Sequence, residues 1–388
     1  MYIYIFTAAI SSWIIWFEEK ISNKDNRFKK ILLLIAILIP AIVAGMRADT
    51  IGTDIRTYIG PLQYFAASSN NFAEYINYNG LLFNGEYLLR FEKGYLSLIY
   101  LCSRIDKSLF LTFFVSELII LSTLIIGLYE FNKKYPLSIG LGFFIFLTFF
   151  YNLSFNLSRQ CIAIFILFLG FNFLIRKEWI KYIITIFIAM LFHNSAVIGV
   201  FFLFIYYFLD DKAKDNTNLF SSNELKVLMI TIIGLVILFM PSLIKHIFSS
   251  TLLNTYLNYI PDSIHLSVRQ LIIKLPFLII ILIEWKNMKK NRLRYFYLAM
   301  ALMDILLSQF SGQSSSATVS EYGARISWYT SAFYIYSIPN ALKTDLNKNR
   351  KIILTIGLVV FLSIYWYYFT VVLNYNDTYP YVFSNIFK

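Results

Sequence analysis

The chain has 388 residues, 58% of them hydrophobic, and a mean hydropathy of +0.63, so residues 1–388 read as a single integral membrane domain with no polar stretch long enough for a separate soluble one. The net charge of +12 is spread over short turns between apolar runs, which is the pattern of membrane topology and excludes a nucleic-acid groove. Two cysteines, Cys102 and Cys161, are too few for a disulfide framework and stand in no metal-ligand spacing.

In chain order, apolar runs fall at 2–17, 30–46, 108–130, 136–155, 159–176, 179–193, 195–209, 226–248, 268–284, 294–310, 324–342 and 352–374. The first lacks a basic leader and a small-residue cleavage site, so it reads as a retained span and not as a cleaved signal peptide. A weaker run, 95–105, lies between Glu92-Lys93-Gly94 and Arg104-Ile105-Asp106-Lys107. At helical rise it reaches only about 16 Å, against a hydrocarbon core of about 30 Å. It reads as a re-entrant or interfacial helix. The fold class is therefore an all-α polytopic membrane protein with about twelve transmembrane helices, plus that short helix.

Trp179 to Leu209 sets the parity of the second half. As one helix it would be about 45 Å long, half again the membrane core. A break at His193-Asn194-Ser195 makes it two short antiparallel pieces instead. With that break both termini lie outside, and six basic connections share the cytoplasmic side. These hold 22 of the 34 basic residues, 17 of them lysine, whereas seven of the other 12 are arginine. Lysine-rich connections mark the cytoplasm. Arginine gathered at the opposite helix mouths suits a site that grips an anion.

The candidate chemistry lies on that outer face. The connection after the second run reads Arg47-Ala-Asp49-Thr-Ile-Gly52-Thr-Asp54-Ile-Arg56-Thr-Tyr58, with charges of both signs and a glycine for tight turning; an ordinary solvated loop with local ion pairs is the plainer alternative. Glu86, Arg90, Glu92 and Lys93 precede the short helix, where anchoring at the interface competes with catalysis. Ser158-Arg159-Gln160 opens an apolar helix. An arginine there opposes the helix dipole unless an anion binds, and snorkelling to headgroups is its rival role. His193 ends an apolar helix at membrane depth, although it could simply satisfy a neighbouring carbonyl. Arg325 repeats the Arg159 arrangement. Asp304, inside a span, reads as a structurally paired acid, and His246, His265 and Arg269 carry no motif. No Walker loop, GxSxG or HExxH occurs, and three scattered histidines do not make a zinc site.

Taken in order, Arg47 with Gly52-Thr-Asp54 and Tyr58, Glu92-Lys93-Gly94-Tyr95, Ser158-Arg159-Gln160, His193-Asn194-Ser195-Ala196 and Arg325 with a tyrosine-rich helix after it resemble the EpsG family of Wzy-type polysaccharide polymerases. The resemblance runs from about Arg47 to Tyr334. Where the family pattern is Glu-Pro-Gly, this chain has Glu92-Lys93-Gly94. The resemblance implies glycosyl transfer on the outer leaflet of a bacterial inner membrane, and with it a GT-C-like helical arrangement. A growing glycan would leave its polyprenyl pyrophosphate for a hydroxyl of the next lipid-linked repeat unit, building capsule, exopolysaccharide or O-antigen. The implied partners are the lipid-linked donor and acceptor, the bilayer, a chain-length regulator and a flippase. No cofactor, metal or nucleic acid is expected.

Loop 47–94 and the outer helix mouths would form the site. Arg47, Arg159, Gln160 and Arg325 would hold pyrophosphate and glycan, because guanidinium groups stabilise a departing phosphate bidentately without a metal. His193, Asp54 or Glu92 would take the acceptor's proton. His193 ranks first, since imidazole's ordinary pKa of about 6.5 is nearest the working range. A flippase for lipid-linked oligosaccharide would need charges lining both faces, an inverted-repeat transporter a second broken helix, and an O-acyltransferase a partner motif for His193. A glycan ligase is separated from a polymerase only by the resemblance.

Overall fold

In hydrocarbon every backbone N–H and C=O must be satisfied within the protein, and a helix does this inside one segment. The computed structural model describes residues 1–21, 26–78, 80, 88, 91–209, 223–239, 267–309, 325–345 and 347–385. Among these the regular structure is helical, with one isolated bridge between Arg47 and Phe383. Glu86, Arg90, His246 and His265 lie outside the described residues.

Among the described residues, four helices are long and apolar enough to cross a membrane: Asn26–Gly45, Phe110–Asn132, Ser158–Ile175 and Lys348–Val372. Ile139–Phe149, Trp179–Met190 and Asn194–Leu209 are apolar but shorter. The weak run 95–105 lies in a 13-residue helix, Lys93–Ile105, which reaches about 20 Å at helical rise.

Two compact units result, Met1–Gly199 with Gly357–Lys388, and Val200–Ile356. The first contains α1 (Tyr2–Lys20), α2 (Asn26–Gly45), α3 (Gly60–Ser68), α4 (Phe72–Ile76), α5 (Lys93–Ile105), α6 (Phe110–Asn132), α7 (Ile139–Phe149), α8 (Tyr151–Ser154), α9 (Ser158–Ile175) and α10 (Trp179–Met190). Helix α9 is central, buried along most of its length between α6 and α10. Phe165 meets Phe146 and Phe150 edge-on, at 5.0 and 5.5 Å between ring centres. Large apolar side chains on the outward face of α10, such as Ile180 and Phe187, are exposed, as lipid-facing residues should be.

The unit has two chemically distinct ends. At one, Glu19 accepts from the backbone N–H groups of Ile139 (2.9 Å) and Gly140 (3.0 Å) at the start of α7, where the helix dipole favours an acid. Arg176 pairs with Glu130 at 2.9 Å, and Lys29 with Glu18 at 3.2 Å. The lysine-rich turns meet there. At the other end, the chain after Asn374 returns across the loop that follows α2. Ala48 N–H donates to the Val382 carbonyl (2.8 Å), Ser384 N–H to that of Met46 (2.9 Å), and the Tyr4 hydroxyl to that of Thr378 (2.6 Å). The first and last parts of the chain thus share an end with the arginine-bearing loop.

The predicted break is present. Helix α10 ends at Met190, His193 is extended (φ −158°, ψ 123°) and a short 3-10 turn covers Asn194–Val197. The chain then folds back, so that the Tyr182 hydroxyl reaches the Gly199 carbonyl at 2.8 Å.

In the second unit, the helix Val268–Ile283 packs on Arg294–Ser308 and on Tyr334–Thr344. Asp304 is paired, as its place inside a span suggested. Lys274 Nζ lies 3.1 Å from Asp304 Oδ2, and the Ser331 hydroxyl donates to Oδ1 at 2.6 Å. Lys274 was not singled out from the sequence.

Candidate active site

The loop after α2 carries Arg47, which is 3% exposed. Its guanidinium lies between the rings of Phe113 and Phe155, 3.7 and 4.2 Å from their centres. Nη1 donates to the Ala44 carbonyl at 2.8 Å, a favourable use of a cation at a helix C-terminus. Its buried Nε has no hydrogen-bond partner. Burial, the largest influence, lowers its pKa to about 10 against the pull of Glu117, so it remains a cation at neutral pH. Gly52 then turns with φ +102°, its backbone N–H donating to the Asp377 carbonyl at 3.0 Å. A Cβ there would lie 2.5 Å from Asn156 Oδ1, so glycine alone fits.

Asp54 precedes a π-helical turn, Ile55–Ile59. Turns of this type gather at functional sites. The Tyr58 hydroxyl donates to Asp54 Oδ2 at 2.5 Å. Burial, then Asp54's charge, pushes Tyr58 well above the ordinary phenol value, so it stays a donor. The Arg159 guanidinium stands 4.8 Å from the ring centres of both Tyr58 and Phe91, and its Nη1 pairs with Glu92 Oε2 at 2.5 Å. Its Nε, like that of Arg47, is buried without a partner.

Glu92 ties this group to the broken helix, because its Oε1 accepts from Asn194 N–H at 3.1 Å. Beside it, Gly94 N–H donates to the Leu191 carbonyl at 2.8 Å. A Cβ on Gly94 would come 2.6 Å from that oxygen, so this close approach also requires glycine. His193 Nδ1 lies 2.6 Å from Ser195 Oγ and accepts from Ser195 N–H at 3.3 Å. Tyr95 is raised to about 12, chiefly by burial, and feels Arg159, Asp54 and Arg47 together.

Six of the seven residues singled out lie in the first unit, and five of these gather at one end of it: Arg47, Asp54, Glu92, Arg159 and His193. Gln160, 1% exposed, is buried within α9. Arg325 opens the helical residues 325–331 of the second unit. Sequence reasoning passed over Glu117, buried in α6, which accepts from the Ser154 hydroxyl at 2.7 Å. Its signal was an acid within an apolar run.

Lys93, where the family pattern has proline, is the first residue of α5, and Glu92 before it is extended (φ −70°, ψ 136°). That is the position and preceding conformation a proline needs, since the first helical N–H has no intrahelical partner. Lys93→Pro should therefore keep activity and raise stability by about 0.4–1 kcal/mol through the unfolded chain. Thermal unfolding in detergent checks this, and a lowered midpoint would contradict the assignment of this turn.

A family model described as EpsG family matches residues 30–383. No curated protein and no solved structure matches the chain.

Proposed function

We propose, from the premise that the chain belongs to the EpsG family of Wzy-type polysaccharide polymerases, that it joins polyprenyl-pyrophosphate-linked repeat units on the outer leaflet of a bacterial inner membrane. An acceptor-sugar hydroxyl attacks the anomeric carbon of the donor glycan. The bond to the pyrophosphate breaks, the lipid pyrophosphate leaves with the electron pair, and the hydroxyl proton passes to a base. Charge develops on the departing phosphate, where guanidinium donors stabilise it most.

The observation that carries this reading is the pair of orphaned donors. Arg47 and Arg159 each keep a buried Nε without a partner, at the end of the unit that also holds Asp54, Glu92 and His193. Buried donors are nearly always satisfied, and an anionic substrate would satisfy these. Gln160 completes the substrate contacts of the first unit in this proposal, and Arg325, in the second unit, keeps the substrate-binding role expected of it from the sequence. Asp54 is the favoured base, with Glu92 and His193 behind it. Its place at the start of the π-helical turn, with the Tyr58 hydroxyl orienting it through Oδ2, supports that choice.

The topology that goes with this function has twelve crossings, both termini outside, and a GT-C-like arrangement. It draws support from the shared end of Tyr4, the 46–52 loop and Thr378 to Ser384, opposite the lysine-bearing turns. In a cysteine-free background, Asp49→Cys should react with a membrane-impermeant thiol reagent in intact cells. Lys290→Cys and Lys348→Cys should not, and labelling of either would overturn the parity.

The function itself is tested with purified protein and lipid-linked repeat units. Expected are lipid-linked glycans lengthened by whole repeats, with one polyprenyl pyrophosphate released per bond. Passage of units between leaflets without lengthening would mean a flippase. Transfer of finished chains to a different acceptor would mean a ligase.

A further inference from the structure

A second feature lies on the arginine-bearing end of the first unit. Between the loop after α2, helix α3 and the turn before α6 is a pocket of about 590 Å³, within the usual range for small-ligand sites. Arg47 is part of its lining, and the unpartnered Nε belongs to this residue. One wall is fixed in advance by Gln63, which is buried. Its Nε2 donates to the carbonyls of Asp106 (3.2 Å) and Ser108 (2.9 Å), and its Oε1 accepts from the Thr112 hydroxyl (2.8 Å). The lining also includes Tyr64, 66% exposed, and the exposed side chains of Asp49 and Lys107.

We propose that this pocket is a glycan subsite, which seats one or more sugars of the lipid-linked repeat unit beside Arg47. This rests on the polymerase reading and adds a location for the sugars to it. Size and lining select a carbohydrate. The volume far exceeds that of a phosphate group. The lining offers a carboxylate to accept from ring hydroxyls, an ammonium to donate to them, and the exposed aromatic side chain of Tyr64 for the apolar face of a sugar. A pre-set wall spares the ordering cost that a flexible site would incur on binding.

The probe is the free oligosaccharide released by mild acid from the host's own lipid-linked repeat unit, titrated calorimetrically onto the full-length protein in detergent. Tyr64→Ala and the double variant Asp49→Asn/Lys107→Gln should each weaken its binding about tenfold or more. They should raise the KM for lipid-linked units in proportion, with kcat within threefold of the parent. Inhibition by inorganic pyrophosphate should be unchanged in both. Wild-type oligosaccharide affinity in both variants overturns the subsite, as does weakened pyrophosphate inhibition in place of weakened sugar binding. Failure of the polymerase reading looks different: the parent protein would lengthen no lipid-linked glycan, whatever its affinity for the sugar.

Discussion

Arg159→Lys should lower turnover of lipid-linked repeat units by about a hundredfold, and Arg159→Ala by about a thousandfold, the range seen when one donor to a developing oxyanion is removed. The reason is geometric. The guanidinium is flanked by the rings of Tyr58 and Phe91, and one nitrogen is committed to Glu92 at 2.5 Å. Its plane is therefore fixed, and its Nε is buried without a partner, the donor this proposal assigns to the leaving phosphate. A lysine keeps the charge but has no planar fork, so it cannot hold Glu92 and a phosphate oxygen in the same set geometry. Single-turnover rates, with thermal unfolding in detergent to confirm folding, decide the matter. A folded Arg159→Lys protein within threefold of the parent would end the account in which a bidentate grip stabilises the leaving group.

Much of this arrangement was legible because membrane proteins concentrate polar residues where they are used. Charges at the mouths of apolar runs drew attention to Arg47, Asp54, Glu92 and Arg159, and excess length placed a break at His193. Pairwise contacts were not legible. Nothing in the spacing of Glu92 and Arg159 says that they touch, since one precedes a short helix and the other begins a span 67 positions later. The return of the final segment onto the 46–52 loop was invisible too. Residues 375–385 have neither helical nor strand periodicity, and their backbone bonds to Met46, Ala48 and Gly52 carry no side-chain signature. Glu117 and Lys274 did have a signature, an ionisable residue inside an apolar run. Asp304 was weighed on that ground and its buried partner was not.

Asp54→Asn should lower kcat by a factor of about 10² to 10⁴, the usual contribution of a positioned general base. It should also remove the acid limb of the pH–rate profile. The sign follows from the chemistry: a carboxylate base is active when ionised, so parent activity falls as pH drops through its pKa, and an amide has no such transition. Tyr58 orients the group by donating to Oδ2 and, held well above the ordinary phenol value by burial, stays protonated throughout. Glu92→Gln should act differently, because that acid's two oxygens hold Arg159 and Asn194 N–H. Its loss loosens the grip on the substrate and should raise KM along with lowering kcat. His193 ranked first on the ordinary pKa of imidazole, yet its Nδ1 accepts the Ser195 N–H. The neutral ring then carries its proton on Nε2, where it donates and has no lone pair for an incoming hydroxyl. His193→Ala should therefore cost about tenfold through the lost cap, with the pH profile unmoved. An acid limb that persists in Asp54→Asn and vanishes in His193→Ala would return the base to histidine, and would require Nδ1 to release its cap when substrate binds.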